Sequence, residues 1–157
     1  MPKLGGGYTL RSAIPSDAAA VARLVDLAYE PYIERIGTIP GPMTEDYGEI
    51  IGTRRVIVAE RAATIAGVLV LRTTDEGSLI DNVAVHPAHR GVGVGRMLLR
   101  HAETEARRAG YDSIYLCTHE KMTENQALYT RIGYTEFDRR SDGETTLVYM
   151  RKPLGPD

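Results

Sequence analysis

The chain has 157 residues, 43% of them hydrophobic and 25% charged, which is the composition of a globular protein and excludes a disordered or fibrous chain. Nineteen basic against 21 acidic side chains give a formal net charge of −2, which disfavours a nucleic-acid partner. The single cysteine, Cys117, excludes an internal disulfide and a multi-cysteine zinc site. Because the sequence has neither a membrane-length apolar run nor a signal peptide, we predict one cytoplasmic domain over residues 1–157, without a membrane partner.

Hairpins come first in this sequence, and strand–helix–strand units follow. The predicted strands are residues 8–14, 56–59, 64–71, 78–85, 113–117, 135–138 and 145–150. The predicted helices begin at Ser16 or Asp17 and at Thr44, and the last two cover about residues 95–109 and 124–132. The first helix should weaken at Pro31, because a proline ring disrupts a helical turn. This order predicts a mixed sheet in an α/β (α+β) protein.

The helix at about residues 95–109 is predicted to be amphipathic. Its apolar face is expected to hold Val94, Leu98, Ala102 and Ala109, and its solvent-facing side Arg96, Arg100, Glu103 and Arg107. Gly110 is placed to end it, since glycine readily adopts the left-handed conformation found after many helices.

The most informative segment runs from Arg90 to Gly95 and alternates glycine with valine between a predicted strand and a predicted helix. Glycines let the backbone approach a ligand, and a helix N-terminus adds partial positive charge. The segment is therefore predicted to bind a phosphate or a pyrophosphate. It is not a P-loop, because Arg96 and Met97 follow Gly95, and it lacks the third glycine of the dinucleotide-binding fingerprint.

The run from Asp81 to Leu99 resembles the acetyl-CoA motif of the GNAT superfamily of N-acetyltransferases. That motif is (Arg/Gln)-x-x-Gly-x-(Gly/Ala), matched here by Arg90, Gly93 and Gly95. The resemblance implies that loop amides hold the pyrophosphate of CoA and that the preceding strand pairs with the pantetheine arm and receives the acetyl carbonyl. The expected cofactor-binding residues are Val83, Ala84, Val85, Arg90, Gly91, Val92, Gly93, Val94, Gly95, Arg96 and Asn125.

A second stretch, residues 122–134, resembles the family's other CoA motif, in which a helix carries Leu-Tyr and ends in Gly-Tyr or Gly-Phe. Tyr129 matches the family's tyrosine, and the resemblance places its hydroxyl near the CoA sulfur. A departing thiolate needs a proton. Donation from a phenol, of pKa about 10, to a thiolate whose thiol has a pKa of about 8.5 is only mildly uphill, and solvent replaces the proton at once. Many members have an asparagine seven residues before this tyrosine, where Met122 stands. Asn125, four residues before it, either contacts CoA or caps the short helix.

The acceptor amine must lose a proton before or during its attack. Asp81 is the candidate catalytic base, because it lies near the position where some relatives carry one. Glu30, Glu49, His119 and a water molecule are the alternatives, and a solvated carboxylate is the other interpretation of Asp81.

Residues 29–47 stand where the family builds its acceptor wall. Tyr29, Tyr32 and Tyr47 either line a pocket or are core tyrosines on a solvated helix. A closed pocket would favour a small amine, and an open groove would favour a peptide. His86 and His89 have no third ligand in view, so no metal site is predicted.

The resemblance implies a mixed, mostly antiparallel sheet of about seven strands, flanked by about four helices and splayed between strands four and five. It also implies acetyl-CoA-dependent transfer of an acetyl group to a primary amine of a small molecule, by direct attack in a ternary complex. The alternatives are acetylation of protein N-termini or lysines and an acyl-CoA sensor without turnover. By analogy with relatives that pair, a homodimer is expected.

Overall fold

Seven strands form a single sheet within residues 5–155, the part of the chain that the computed structural model describes. They are β1 (Thr9–Ser12), β2 (Arg55–Arg61), β3 (Thr64–Thr74), β4 (Gly77–Val85), β5 (Ser113–His119), β6 (Thr135–Asp142) and β7 (Thr145–Pro153). Their order is β1-β2-β3-β4-β5-β7-β6, and β4 and β5 are the parallel pair in this otherwise antiparallel sheet. The predicted fold class is confirmed, although β1 is shorter than predicted and β2, β3, β5, β6 and β7 run further.

The same residues form five α-helices, one more than predicted. They are α1 (Ala18–Tyr29), α2 (Tyr32–Ile36), α3 (Tyr47–Thr53), α4 (Val94–Arg108) and α5 (Thr123–Arg131). The additional helix is α2, because the chain breaks at Pro31 and then resumes a helical path. The predicted cap Thr44 is wrong: α3 begins at Tyr47 and its N-cap is Asp46, whose carboxylate accepts the N–H groups of Gly48 and Glu49 at 3.0 and 3.2 Å.

Helix α4 packs closely against one face of the sheet. Its buried residues are Val94, Leu98, Leu99, Ala102, Glu103 and Ala106. Gly67 of β3 permits this approach, because a Cβ there would lie 2.8 Å from Val94 Cγ1 and 2.9 Å from Leu98 Cδ1. Helices α1 and α3 cover the other face, on which Val58, Val68 and Ala84 are buried. The sheet is thus sandwiched between two apolar clusters.

Two predictions for α4 are wrong. Glu103 is buried instead of facing solvent, and its carboxylate binds the Lys152 ammonium group of β7 at 3.0 Å. Ala109 is exposed, because α4 ends at Arg108. Gly110 follows with a φ of +92°, the left-handed conformation predicted for it.

The sheet opens between β4 and β5, as predicted. Their pairing covers Ser78–Ile114, Leu79–Tyr115 and Ile80–Leu116, and β4 continues to Val85 without further pairing to β5 in the described structure. The strands therefore separate immediately after Ile80, which leaves one edge of the second half of β4 free.

A β-bulge at Asp81 marks the point of separation. In the pairing of β3 with β4, Leu71 faces Ile80 and Val70 faces Asn82, so Asp81 is the extra residue. The bulge shifts the alternation of side chains by one position. As a result, Asn82 and Ala84 face α1 and α3, whereas Val83 and Val85 pack on the α4 side.

Candidate active site

A cleft of about 450 Å³ lies where β4 and β5 separate, between α1 and α2 on one side and α5 on the other. The predicted site residues that line it are Val83, Ala84, Val85, Arg90, Gly91, Gly93, Val94, Gly95, Arg96, Asn125 and Tyr129. Val92 is 55% exposed and does not line the cleft, and neither does Asp81. The structure thus brings together nearly all of the residues that two separate sequence motifs predicted.

The glycine segment contributes a row of free backbone N–H groups to the cleft. Gly91 and Gly93 have φ values of +78° and +92°, which glycine adopts at little cost. The N–H groups of residues 91–96 donate to no other group in residues 5–155, and the first to do so is that of Met97, to the Gly93 carbonyl at 3.0 Å. Because α4 begins at Val94, its positive end adds to these donors. Together they fit a diphosphate.

The free edge of β4 supplies further backbone groups. The N–H of His86 donates to the Ala66 carbonyl of β3 at 2.8 Å. Because successive residues of a strand direct their backbone groups to opposite sides, those of Val83 and Val85 are directed into the gap beside β5. An extended ligand arm could pair there as an added strand would.

Tyr129 lies in the α5 wall of the cleft and is only 8% exposed. Its ring packs edge-to-face against Tyr134, with the ring centroids 5.7 Å apart. Burial, followed by the proximity of Cys117 and Tyr32, raises the pKa of Tyr129 to about 12. The phenol is therefore protonated at neutral pH, and in the described structure its hydroxyl makes no hydrogen bond.

Asn125 also projects from α5 and lines the cleft. The interpretation of Asn125 as a helix cap is wrong, because α5 begins at Thr123 and Met122 occupies the capping position. The backbone N–H of Asn125 donates to the Met122 carbonyl at 3.1 Å. A contact with CoA stays a prediction for this side chain.

Asp81 lies at the bulge, outside the lining of the cleft. Its carboxylate binds the guanidinium group of Arg54 and lies 3.6 Å from that of Arg72. Because two cations occupy the oxygens that a base would need, the contacts favour a structural carboxylate over the predicted catalytic base.

His119, another candidate base, is the last residue of β5 and does not line the cleft either. Burial lowers the pKa of His119, so the ring is neutral at neutral pH. Its Nδ1 accepts the N–H of Lys121 at 3.1 Å, a contact that fixes the loop leading to α5.

A buried amide, which no sequence motif indicated, joins two of the acceptor-side tyrosines. The hydroxyl of Tyr29 donates to Asn82 Oδ1 at 2.8 Å, and Asn82 Nδ2 donates to the Tyr47 hydroxyl at 3.2 Å. The Tyr47 hydroxyl in turn lies 2.6 Å from the Pro42 carbonyl. Burial raises the pKa of both Tyr29 and Tyr47. Tyr29 lines the cleft together with Tyr32, whereas Tyr47 belongs to the core beneath it.

Contacts of α2 with α5, and with the loop before α5, join the two walls of the cleft. The guanidinium group of Arg35 binds the carboxylate of Glu124, with Nη1 2.7 Å from Oε2. The ammonium group of Lys121 lies 3.5 Å from the Ile36 carbonyl. Hydrogen bonding to Arg35 is the main reason why the pKa of Glu124 falls to about 2.

Metal-binding clusters and membrane-length helices are both absent from residues 5–155. These residues contain no group of three or more His, Cys, Asp or Glu side chains that could hold a metal ion. None of the helices they form is both long and apolar enough to cross a membrane.

The fold and this cleft are those of an acyltransferase that holds a phosphate-bearing donor. The model of the acetyltransferase (GNAT) family matches residues 21–134, and the chain belongs to this family. It is therefore an acetyltransferase, and the resemblance that its motifs indicated is confirmed.

Relatives agree with this assignment, and solved structures share the fold. The chain is 33% identical over 106 residues to the IAA acetyltransferase of Azospirillum brasilense, covering 64% of this chain and 68% of the relative. It is 25% identical over 156 residues to the streptothricin acetyltransferase of Streptomyces lavendulae, covering 83% and 82%. The structure of a nourseothricin acetyltransferase matches with a TM-score of 0.73 at 23% identity, covering 94% and 99% of the two chains. The PaiA N-acetyltransferase of Thermoplasma acidophilum, solved with coenzyme A, matches with a TM-score of 0.77 at 16% identity, covering 93% and 98%.

Proposed function

We propose that this acetyltransferase takes its acetyl group from acetyl-CoA and transfers it to a primary amine of a small molecule, by direct attack in a ternary complex. The free N–H groups of residues 91–96 bind the diphosphate, and Arg90 and Arg96 add positive charge beside it. Val83 and Val85 pair through their backbone groups with the pantetheine arm in the gap of the sheet. Named relatives that act on IAA or streptothricin, and solved neighbours that hold CoA or acetyl-CoA, support this proposal.

The chemical step requires little more than positioned donors. A backbone N–H of Val83 or Val85 donates to the carbonyl oxygen of the thioester, and a donor of this kind typically contributes about 3–4 kcal/mol. The amine nitrogen forms a bond to the carbonyl carbon while the carbon–sulfur bond breaks. Tyr129 donates its proton to the departing sulfur and is reprotonated from solvent, and the amine proton passes to water.

The pKa of Tyr129 bears on this role. Full proton transfer from a phenol of pKa about 12 to a thiolate whose thiol has a pKa of about 8.5 is unfavourable by roughly 5 kcal/mol. The burial that raises the pKa of Tyr129 also raises that of a thiol held beside it, which narrows the difference. Tyr129 therefore donates a strong hydrogen bond to sulfur as negative charge develops there, and its proton follows to sulfur as the carbon–sulfur bond breaks.

The observation that carries the small-molecule part of the proposal is the contact between α2 and α5. Arg35 binds Glu124, and its guanidinium group lies 5.1 Å from the centre of the Tyr32 ring, which lines the cleft. An extended peptide would need a groove that continues past this point. These contacts bridge the two walls of the cleft, whose volume of about 450 Å³ suits a small amine.

The decisive assay follows release of free thiol from acetyl-CoA by the purified protein with a panel of acceptors. The panel contains tyramine, spermidine, streptothricin, a peptide with a free N-terminus and an N-acetylated peptide with one lysine. We expect at least one small amine to react faster than both peptides. Faster reaction of a peptide would establish a protein acetyltransferase, and CoA binding without thiol release for any acceptor would establish a sensor.

The Tyr129→Phe variant tests the proposed proton donor. We expect the rate of thiol release to fall by roughly 10²–10³-fold, while the Kd for CoA changes less than twofold, because the ring and its packing remain. Tyr134→Phe is the matched control: its ring packs on Tyr129, and its buried hydroxyl has no hydrogen-bond partner within residues 5–155. A Tyr129→Phe enzyme as fast as the Tyr134→Phe control would remove Tyr129 from the mechanism.

A further inference from the structure

We infer that Tyr29 is a positioning residue for the acceptor, because its hydroxyl oxygen is set by its neighbours to accept an N–H of the attacking amine. This inference rests on the proposed function and adds a residue that selects and orients the amine. It follows from the direction of each hydrogen bond in the chain that links Tyr29, Asn82, Tyr47 and Pro42.

The donor and acceptor of each hydrogen bond in this series are fixed from its buried end, at Pro42. A carbonyl oxygen only accepts hydrogen bonds, so Tyr47 donates its single proton to Pro42 at 2.6 Å. The Tyr47 oxygen is then free to accept from the amide nitrogen of Asn82, 3.2 Å away. This contact places the Asn82 nitrogen toward Tyr47 and its oxygen toward Tyr29. Since an amide oxygen also only accepts, the Tyr29 proton goes to Asn82 at 2.8 Å.

Of the four hydrogen-bonded residues, all within residues 5–155, only Tyr29 lines the cleft. Its one proton is committed to Asn82, so it offers the cleft lone pairs alone. Burial raises the pKa of Tyr29, which keeps the hydroxyl neutral and the direction of the bond unchanged over the working pH range. The cleft therefore contains a hydroxyl that accepts but does not donate.

Tyr129, on the opposite wall, has the complementary character. Its hydroxyl has no hydrogen-bond partner in the described structure, so its proton remains available. The two tyrosine hydroxyls thus differ in hydrogen-bonding role. That of Tyr129 can donate to a developing thiolate, and that of Tyr29 can accept from an amine N–H. An amine held by Tyr29 through one N–H keeps its lone pair free for attack.

The position of Asn82 connects these hydrogen bonds to the backbone groups of β4 that are proposed to bind the thioester. The bulge at Asp81 turns Asn82 toward α1 and α3, and the next residue is Val83, whose backbone faces the gap. Tyr29 is therefore held by the residue adjacent in sequence to the proposed donors for the thioester.

The Tyr29→Phe variant tests the inference by steady-state kinetics with acetyl-CoA and either tyramine or spermidine. We expect the KM for the amine to rise about tenfold, with the KM for acetyl-CoA within twofold of wild type. Tyr47→Phe removes the oxygen that accepts the Asn82 amide N–H and so fixes the amide, and its amine KM should rise by a smaller factor. Tyr111→Phe, far from the cleft, is the control and should match wild type. Unchanged amine KM in Tyr29→Phe, or equal changes in both KM values, would overturn the inference.

A binding measurement separates this inference from the proposed function. In CoA-loaded protein labelled with ¹³Cζ-tyrosine, the resonance missing from Tyr29→Phe identifies Tyr29, and tyramine is titrated in. We expect the Tyr29 resonance to shift with saturation and the Tyr111 resonance to stay in place. A Tyr29 resonance that does not move would reject the inference even if amines are acetylated. Conversely, a shift without turnover of any acceptor would retain Tyr29 as an amine-binding residue and reject the enzymatic proposal.

Discussion

Helix α4 has a cavity at each end, and the two cavities differ in the state of their polar groups. The cleft at its N-terminus has a volume of about 450 Å³. The cavity beside its last turn is larger, about 600 Å³, and is lined by Arg54, Arg55 and Arg72 together with Glu105 and Tyr111. Volume and charge alone would therefore point to the second cavity as the site for an anion.

The hydrogen bonds reverse that ranking. Arg54 and Arg72 interact with Asp81, and Arg55 binds Glu105 at 2.8 Å. These cations are already matched, and they lie near the negative end of α4, whose dipole they offset. In the cleft, by contrast, the N–H groups of residues 91–96 have no acceptor among the described residues. Unsatisfied donors, not volume, distinguish a binding site from a packed surface.

The largest effect is expected from Gly93→Ala, which tests whether the two cavities differ as described. Gly110→Ala is the matched control. Both glycines have a φ of +92°, both have open space where a Cβ would go, and they lie at opposite ends of α4. Each substitution should lower the free energy of unfolding by roughly 1–2 kcal/mol, because an L-residue is strained in this conformation. Only Gly93→Ala should also weaken CoA binding, by roughly tenfold or about 1.4 kcal/mol.

Calorimetric titration with CoA and thermal unfolding of the free variants separate the two effects. Equal losses of CoA affinity in both variants would mean that the glycine segment acts through helix stability alone. Unchanged affinity in Gly93→Ala would mean that the free N–H groups of residues 91–96 do not bind the diphosphate.

A smaller effect is expected from Asp81→Asn, because the Asp81 carboxylate interacts with Arg54 and Arg72, which line the second cavity. This change leaves Arg54 and Arg72 without their carboxylate, and we expect the free energy of unfolding to fall by about 1–2 kcal/mol. The maximal rate of thiol release should change less than threefold, because Asp81 does not line the cleft. A rate loss of a hundredfold or more, with a shifted pH profile, would instead establish Asp81 as the base that its sequence position suggested.

Short-range patterns account for most of what the sequence predicted correctly. The glycine run, the placement of Gly110 and the break at Pro31 depend on local backbone preferences, which a sequence displays directly. The opening between β4 and β5 was available through the family resemblance. Most of the residues that line the cleft therefore follow from two contiguous motifs, each of which is local in the chain.

The errors arose where distant residues decide the outcome. Glu103 was expected to face solvent, and it is buried because Lys152, on a strand 49 positions later, supplies a matching charge. Asn82 was not singled out, because a regular alternation along β4 hides the bulge that turns it toward Tyr29 and Tyr47. Neither the pairing of charges across elements nor a one-residue bulge is encoded in a local pattern.

The smallest expected effect is a loss of stability in mild acid, to which a histidine near each cavity contributes. Burial lowers the pKa of His89, in the cleft, and of His101, which lies beside Glu105. The pKa of a histidine in the unfolded chain is about 6.5. As pH falls below it, the unfolded chain binds protons that the folded protein does not. The contribution of these histidines to the free energy of unfolding is therefore fully present above this pH and declines below it. Melting temperatures between pH 8 and pH 5.5 should therefore fall with pH, and His89→Gln and His101→Gln should each flatten the decline. A decline that His89→Gln and His101→Gln both leave unchanged would mean that these two histidines bind protons equally well in the folded and the unfolded chain.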